Sequence, residues 1–292
     1  KKSVGVFFME AYVMAAFSAR LFGGNQAGVV LPDRPLDDGV MQQIAAEFKH
    51  SETAFVTRSP DGSVILRYFT PAGEVELCGH ATIASFALLR ALGRIGDGDI
   101  TAHTKAADLT IGVRGDTVWM DMAPPHWIRE LPEPELPELY EAYGLTPADR
   151  PDSLLPAIVS TGLADIMMPV RDRDTLLRAV QNEPAVTALS KKYDVTGVHM
   201  FCLGDGCTAY CSNYAPLYDI PEECATGTSN GALTYYLYRH GMVQPLQENV
   251  FLQGEHMHRP SEIRSRLYAD GDTVTVRVGG RAVMSMSCDI KL

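Results

Sequence analysis

The sequence predicts an α+β chain made of two matched domains. Three observations predict it: many short strand-like segments with few helices between them, a glycine-bearing turn ahead of one helix in each half, and length enough for two cores. The turns are Cys78-Gly79-His80-Ala81-Thr82 and Cys224-Ala225-Thr226-Gly227-Thr228-Ser229, and their cysteines stand half of the 292-residue length apart. At roughly 150 residues per domain, that length suits two domains. A hydrophobic fraction of 46% and a charged fraction of 21% are ordinary for globular proteins with sizeable cores.

Taken in order, Val4–Phe17 reads as a strand, and Phe22-Gly23-Gly24-Asn25-Gln26-Ala27-Gly28 as a turn feeding the strand Val29–Leu31. Pro35–Phe48 has helical spacing, with Met41, Ile44, Ala45 and Phe48 on one face. Ser51–Thr57 and Val64–Phe69 read as strands, and Cys78-Gly79-His80 opens a helix from Ala81 to about Leu92 that stops before Gly93. Leu109–Val113 and Thr117–Met122 form a hairpin around Arg114-Gly115-Asp116.

Ala123-Pro124-Pro125 and the Pro/Glu-rich Leu131–Glu138 interrupt the pattern. The expected division is therefore residues 1–127, residues 128–280, and a closing strand over 281–292 that returns to the first domain. Beyond the break, strands are expected at Ala157–Ser160, Asp165–Val170, Gly197–Leu203 and Thr208–Asn213, with helices at Asp174–Ala179 and Val186–Tyr193. The second turn opens the helix Ser229–His240, and short strands near Phe251, Ser265–Ala269, Thr273–Val278 and Ala282–Ser287 close the chain.

Composition excludes several functions. A formal charge of −11, without a run of Lys and Arg, argues against binding nucleic-acid phosphates. Six cysteines in this length are no disulfide scaffold, and none has zinc-ribbon spacing. Cys202, Cys207 and Cys211 fall in strand-like sequence, where small apolar cysteines are usually buried. The expectation is reduced thiols in a cytoplasm. Lys1-Lys2 and the apolar stretch behind them look like a signal peptide, but Glu10 interrupts the run and a strand is preferred. No segment has the roughly 18 uninterrupted apolar residues of a membrane span.

The paired turns suggest chemistry. A helix N-terminus offers unpaired N–H groups and the positive end of the macrodipole, which suit a carboxylate or a developing oxyanion. Two such ends aimed at one substrate would stabilise the enolate-like charge left when a proton departs from carbon beside a carboxylate. The same position acidifies a thiol. Cys78 and Cys224 on opposite faces of a carbon would then act as a proton-removing and proton-returning pair. Alkylation is accordingly expected first at one of these two.

Phe22-Gly23-Gly24-Asn25-Gln26-Ala27-Gly28-Val29-Val30, Ser51-Glu52-Thr53-Ala54-Phe55-Val56, Arg67-Tyr68-Phe69-Thr70-Pro71 and Glu74-Val75-Glu76-Leu77-Cys78-Gly79-His80-Ala81-Thr82 together resemble the phenazine-biosynthesis PhzF-like isomerase family. Gln253-Gly254, Arg259-Pro260-Ser261 and the closing strands extend the resemblance over nearly the whole chain. It implies the diaminopimelate epimerase fold: two pseudo-symmetric domains, each a central helix wrapped by a mostly antiparallel sheet. It also implies that Glu52, in the Ser-Glu motif, is the acid/base residue, shuttling a proton between carbons of a dihydro-hydroxyanthranilate. Asn25, Gly79, His80, Gly227 and Thr228 map onto turns around the substrate.

The chain departs from the family pattern where the second turn commonly reads Glu-Asp-Pro-Ala-Thr-Gly-Ser. Here Glu223 replaces the aspartate and Cys224 the proline. Cys224-Ala225-Thr226-Gly227-Thr228-Ser229 looks like the cysteine turn of diaminopimelate epimerases and proline racemases. Ala15 stands in place of the family's usual aspartate before Ala16-Phe17.

The leading expectation is a cofactor-independent amino-acid racemase or epimerase using Cys78 and Cys224 on a small carboxylate-bearing substrate. The alternative is a Glu52-dependent double-bond isomerase, and a non-catalytic small-molecule binding protein comes third. Asn25, Gly79, His80, Glu223, Gly227 and Thr228 are the expected substrate-binding residues. No Rossmann-spaced glycine motif and no H-E-x-x-H is present, so no cofactor and no metal is expected. Neither nucleic acid nor membrane is an expected partner, and a homodimer is a family-based expectation.

Overall fold

Most strands and helices form where a segment can bury side chains, and a few are held by backbone pairing alone. The computed structural model describes residues 8–291. The first stretch runs β1 (Phe8–Ala16), β2 (Asn25–Leu31), α1 (Asp38–Phe48), β3 (Thr53–Arg58), β4 (Val64–Phe69), β5 (Glu74–Val75), α2 (Gly79–Ala91), β6 (Gly98–His103), β7 (Asp108–Arg114) and β8 (Thr117–Asp121). Then come β9 (His126–Glu130), α3 (Leu136–Glu141), β10 (Ala157–Ser160), β11 (Ala164–Pro169), α4 (Arg173–Arg178), α5 (Glu183–Tyr193), β12 (Gly197–Leu203) and β13 (Ala209–Ala215). The chain closes with β14 (Ile220–Glu223), α6 (Gly227–Arg239), β15 (Glu248–Gln253), β16 (Ser261–Asp270), β17 (Thr273–Gly280) and β18 (Ala282–Lys291). The strand expected over Val4–Phe17 begins in part outside the described residues.

Two compact units result, one from residues 8–120 with 280–291, the other from residues 121–279. In the first, β18 and β2 both pair antiparallel with β1, β2 runs parallel to β3, and β3 pairs antiparallel with β4. β4 pairs with β5 and runs parallel to β6, which continues antiparallel through β7 to β8. The second unit repeats this order. β9 and β11 flank β10, β11 runs parallel to β12, and β12 pairs antiparallel with β13. β13 pairs with β14 and runs parallel to β15, which continues through β16 to β17. The halves thus match strand for strand.

One helix fills each unit. α2 buries every residue from His80 to Phe86 together with Leu88 and Leu89, and it packs on β1, β2, β3, β7 and β18. A helix buried nearly all round belongs inside a core. Each fully buried Phe or Leu contributes about 1.5–3 kcal/mol. Its counterpart α6 buries Ser229 through Thr234 with Tyr236 and Leu237, against β10, β11 and β16. The outer helix α1 buries only Met41, Ile44 and Ala45 and ends where Lys49 turns left-handed at φ 58°.

The structure adds elements that the sequence pattern conceals. β6 is mostly open to solvent, with only Ala102 fully buried, so it carries little hydrophobic signal. β9 likewise has mostly exposed residues and is held by pairing with β10. The Pro/Glu-rich segment expected to interrupt the fold instead forms α3, with proline in its first turn, where a missing N–H costs nothing. α2 and α6 start at Gly79 and Gly227, each two residues before the expected first residue.

Two buried groups give the second unit opposing pH responses. His199 in β12 is fully buried, its Nδ1 3.0 Å from Asn213 Oδ1. Burial outweighs the bonds to Asn213 and Asn230 and pulls its pKa to about 4. Neutral His199 therefore supports the fold at neutral pH, and that support is lost as pH falls from about 6.5 toward 4. Asp165 runs the other way. Burial lifts it to about 6 despite hydrogen bonds from Ser229 and Gly197, so its protonation favours the fold as pH falls through 6. Denaturant unfolding at pH 7 and pH 4.5 should show His199→Gln losing about 2 kcal/mol less than the wild type over that interval. Equal losses would contradict this account.

Candidate active site

The first glycine turn brings Glu52 to its place. Gly24 has φ 68°, and a Cβ there would lie 2.3 Å from the Ala16 carbonyl oxygen, so only glycine closes this turn. A Cβ on Gly28 would meet Thr53 Oγ1 at 2.7 Å. Its absence lets β3 lie close along β2, and the Gly28 N–H donates to the Glu52 carbonyl at 3.1 Å. Glu52 is thereby fixed at the entrance to β3. Cys78 is the N-cap of α2, with extended backbone and no acidic residue in the following turn. Thr82 Oγ1 donates to the Cys78 carbonyl at 2.7 Å and shares a 2.6 Å hydrogen bond with Tyr68 Oη, tying the helix start to β4.

Glu52, Cys78 and His80 converge there. His80 Nε2 lies 3.2 Å from Glu52 Oε2, and His80 Nδ1 lies 3.5 Å from Cys78 Sγ. Ser51 Oγ approaches His80 Nε2 at 3.5 Å. Cys78 and His80 are buried, whereas the Glu52 side chain keeps 20% of its surface. Burial alone would raise the Glu52 pKa, but His80, with hydrogen bonds from Ser51 and Cys78, outweighs it and holds the group below the usual glutamate value. Burial opposes a charged His80, yet the neighbouring Cys78 and Glu52 raise its pKa well above the ordinary value. The three groups thus form one coupled cluster, in which a carboxylate Glu52 favours a charged His80.

At Cys78 burial outweighs the acidifying helix start, contrary to the sequence expectation. Burial pushes its thiol up, and the His80 and Ala81 N–H contacts only reduce that rise. Thiol modification should therefore follow exposure, because among the six cysteines only Cys288 is exposed. Peptide mapping after brief alkylation near pH 7 should find Cys288 labelled before Cys78 and Cys224. Early labelling of Cys78 would mean that its thiolate is populated and reachable after all.

The second turn is built on a different plan. The N-cap of α6 is Thr226, not Cys224, which lies two residues earlier and is 5% exposed. The position that Cys78 takes in the first unit is therefore held by a threonine in the second. Gln253 clamps the turn: Nε2 donates to the Glu223 carbonyl at 2.7 Å, while Oε1 accepts from Thr226 N–H at 3.3 Å and Asn230 Nδ2 at 2.8 Å. Glu223 accepts from the Thr226 hydroxyl, and Thr161 Oγ1 donates to the Thr228 carbonyl at 2.8 Å. Gly254, at φ 85°, leaves room where a Cβ would lie 2.7 Å from the Cys224 carbonyl oxygen. Ser229 donates to the buried Asp165 at 2.6 Å.

Comparison with known proteins then decides the family. The profile of the family described as "Phenazine biosynthesis-like protein" matches residues 14–288. The chain belongs to this family. An isomerase from Deinococcus radiodurans is 34% identical over 282 residues, covering 93% of this chain and 91% of that protein. A PhzF-family structure from Bacillus anthracis superposes with a TM-score of 0.88 at 26% identity, covering 97% and 99% of the two chains. A hydroxyproline epimerase from Agrobacterium vitis gives a TM-score of 0.61 at 13% identity over 98% and 93%, a likeness of fold alone. This PhzF-like chain is an isomerase with the expected α+β, diaminopimelate epimerase-like fold. Among the described residues, no helix is long and apolar enough to cross a membrane.

Of the residues singled out from sequence, Glu52, Cys78, Gly79 and His80 meet in the first unit of this PhzF-like protein. Asn25 opens β2 there, opposite Ala16 and 8% exposed. Cys224, Glu223, Gly227 and Thr228 form the second unit's turn. The sequence reading assigned no role to Ser51, Gln253, Asn230 or Asp165. Gln253 stood in a recognisable Gln-Gly motif, but its part in holding the turn appears only once β15 is placed beside α6. Asn230 and Asp165 carried no local signal, since their partners lie 23 and 64 residues away.

Proposed function

We propose that this isomerase moves a proton between two carbons of a small carboxylate-bearing substrate, with Glu52 as the carrier. The contact of Glu52, His80 and Cys78 within one unit carries this reading. As a carboxylate, Glu52 accepts a proton from carbon, and the electron pair left behind delocalises toward the substrate carboxylate. The protonated Glu52 then returns its proton to a second carbon, the double bond shifts, and the enzyme ends as it began. Imidazolium His80 offsets the charge that Glu52 holds before and after transfer, and the Cys78 thiol keeps the carboxylate oriented. The N-terminus of α2, with no acidic residue in its own first turn, offers positive potential to the substrate anion.

The two-cysteine racemase reading has less support. It asks for equivalent thiols at the two helix starts, whereas the α6 cap is Thr226 and Cys78 is held protonated by burial. A panel of L-amino acids and unsaturated cyclic carboxylates, followed by polarimetry and proton NMR, separates the two. The Glu52 reading expects a relocated double bond in an unsaturated carboxylate and unchanged rotation of the amino acids. Loss of rotation by any L-amino acid would reverse the preference.

A further inference from the structure

The Glu52, Cys78 and His80 donor atoms all lie within 4.8 Å of one another, and they are a carboxylate oxygen, a thiol sulphur and an imidazole nitrogen. That is the mixed donor set zinc takes. His80 Nε2 stands 3.2 Å from Glu52 Oε2 and 3.8 Å from Cys78 Sγ. Around a tetrahedral zinc with Zn–N and Zn–O near 2.1 Å and Zn–S near 2.3 Å, the corresponding edges are about 3.4 and 3.6 Å. Both Nε2 distances are therefore close to those edges, and because Cys78 Sγ lies nearer Nδ1, at 3.5 Å, the thiol has to swing toward Nε2 when the ion binds. Glu52 Oε2 is also buried, and its neighbour there is His80 Nε2, whose proton a cation would replace.

We propose that Glu52, Cys78 and His80 bind one zinc ion through Oε2, Sγ and Nε2, with the fourth position open, and that the bound ion silences the isomerase. Binding displaces the thiol proton and the Nε2 proton to solvent. The ion is an inhibitor here, because it occupies the lone pairs that proton transfer needs. Only this inhibitory consequence rests on the Glu52 reading; the binding geometry stands without it.

Zinc chloride added to the metal-free full-length protein should bind at one equivalent. X-ray absorption of that complex should find one sulphur at about 2.3 Å and nitrogen or oxygen neighbours at about 2.0–2.2 Å. This readout needs no variant. No binding, or a shell with no sulphur or with two or more, would overturn the site. Cobalt chloride should give a thiolate-to-metal charge-transfer band that Cys78→Ser abolishes and Cys224→Ser retains. Glu52→Gln should weaken zinc affinity by at least about 10–100-fold, the loss typical of removing even a supporting partner of a metal ligand. Retention of the band in a folded Cys78→Ser protein would also overturn the site. Zinc should remove turnover and EDTA should restore it. One zinc on one sulphur with turnover unchanged would keep the metal site and overturn the inhibition, together with the placing of catalysis at this trio.

Discussion

Replacement of Glu52 by Gln is expected to lower turnover by about 10²–10⁴-fold, the usual worth of a positioned acid/base group. Gln preserves the side-chain shape and the Gly28 to Glu52 backbone hydrogen bond, so β2 and β3 should stay paired. What disappears is the carboxylate that takes the proton and sustains the charge on His80. The loss should fall on kcat, with far-UV circular dichroism and the unfolding midpoint close to wild type. Glu52→Asp retains the group but withdraws it by one methylene. It should recover only part of the rate, because displacement by about 1 Å can cost 10²-fold. A Glu52→Gln protein with near-wild-type kcat would remove the carboxylate from the mechanism.

The second large effect is an asymmetry between the two cysteines. Cys78→Ala should reduce turnover by about 10²-fold or more, since it strips Glu52 of a hydrogen-bond donor and His80 of its neighbour. Cys224→Ala should leave turnover within about threefold of wild type. Its carbonyl oxygen faces Gly254, and the clamp on this turn runs from the Gln253 side chain to Glu223 and Thr226. Steady-state kinetics of the two purified variants make the comparison. Abolished turnover in both, with both folded, would restore the two-cysteine mechanism.

The site was legible to different depths. Glu52, Cys78 and His80 were visible because two local motifs, Ser51-Glu52 and Cys78-Gly79-His80, announced them. Their contact was not, since it depends on β3 and the start of α2 meeting in space. Strand positions were legible where strands bury most of their side chains, as in β4 and β12, whose predicted bounds match those found. It failed at β6 and β9, which are held by backbone pairing to neighbours more than by side-chain burial. The acidity of Cys78 was misjudged for a related reason. A helix N-terminus can be read from sequence, but the 7% exposure that raises the thiol cannot. The likeness of the two turns hid a two-residue offset that only the caps reveal: Cys78 on α2 and Thr226 on α6.

A single proton carrier leaves an isotopic trace that two carriers do not. The decisive measurement follows a substrate deuterated at the reacting carbon, turned over in ordinary water and examined by NMR before the first tenth of the reaction is complete. Transfer by Glu52 predicts a shifted double bond, with part of the original deuterium found on the second carbon of the product. An inverted carbon carrying hydrogen wholly from solvent, with no double-bond shift, would contradict it.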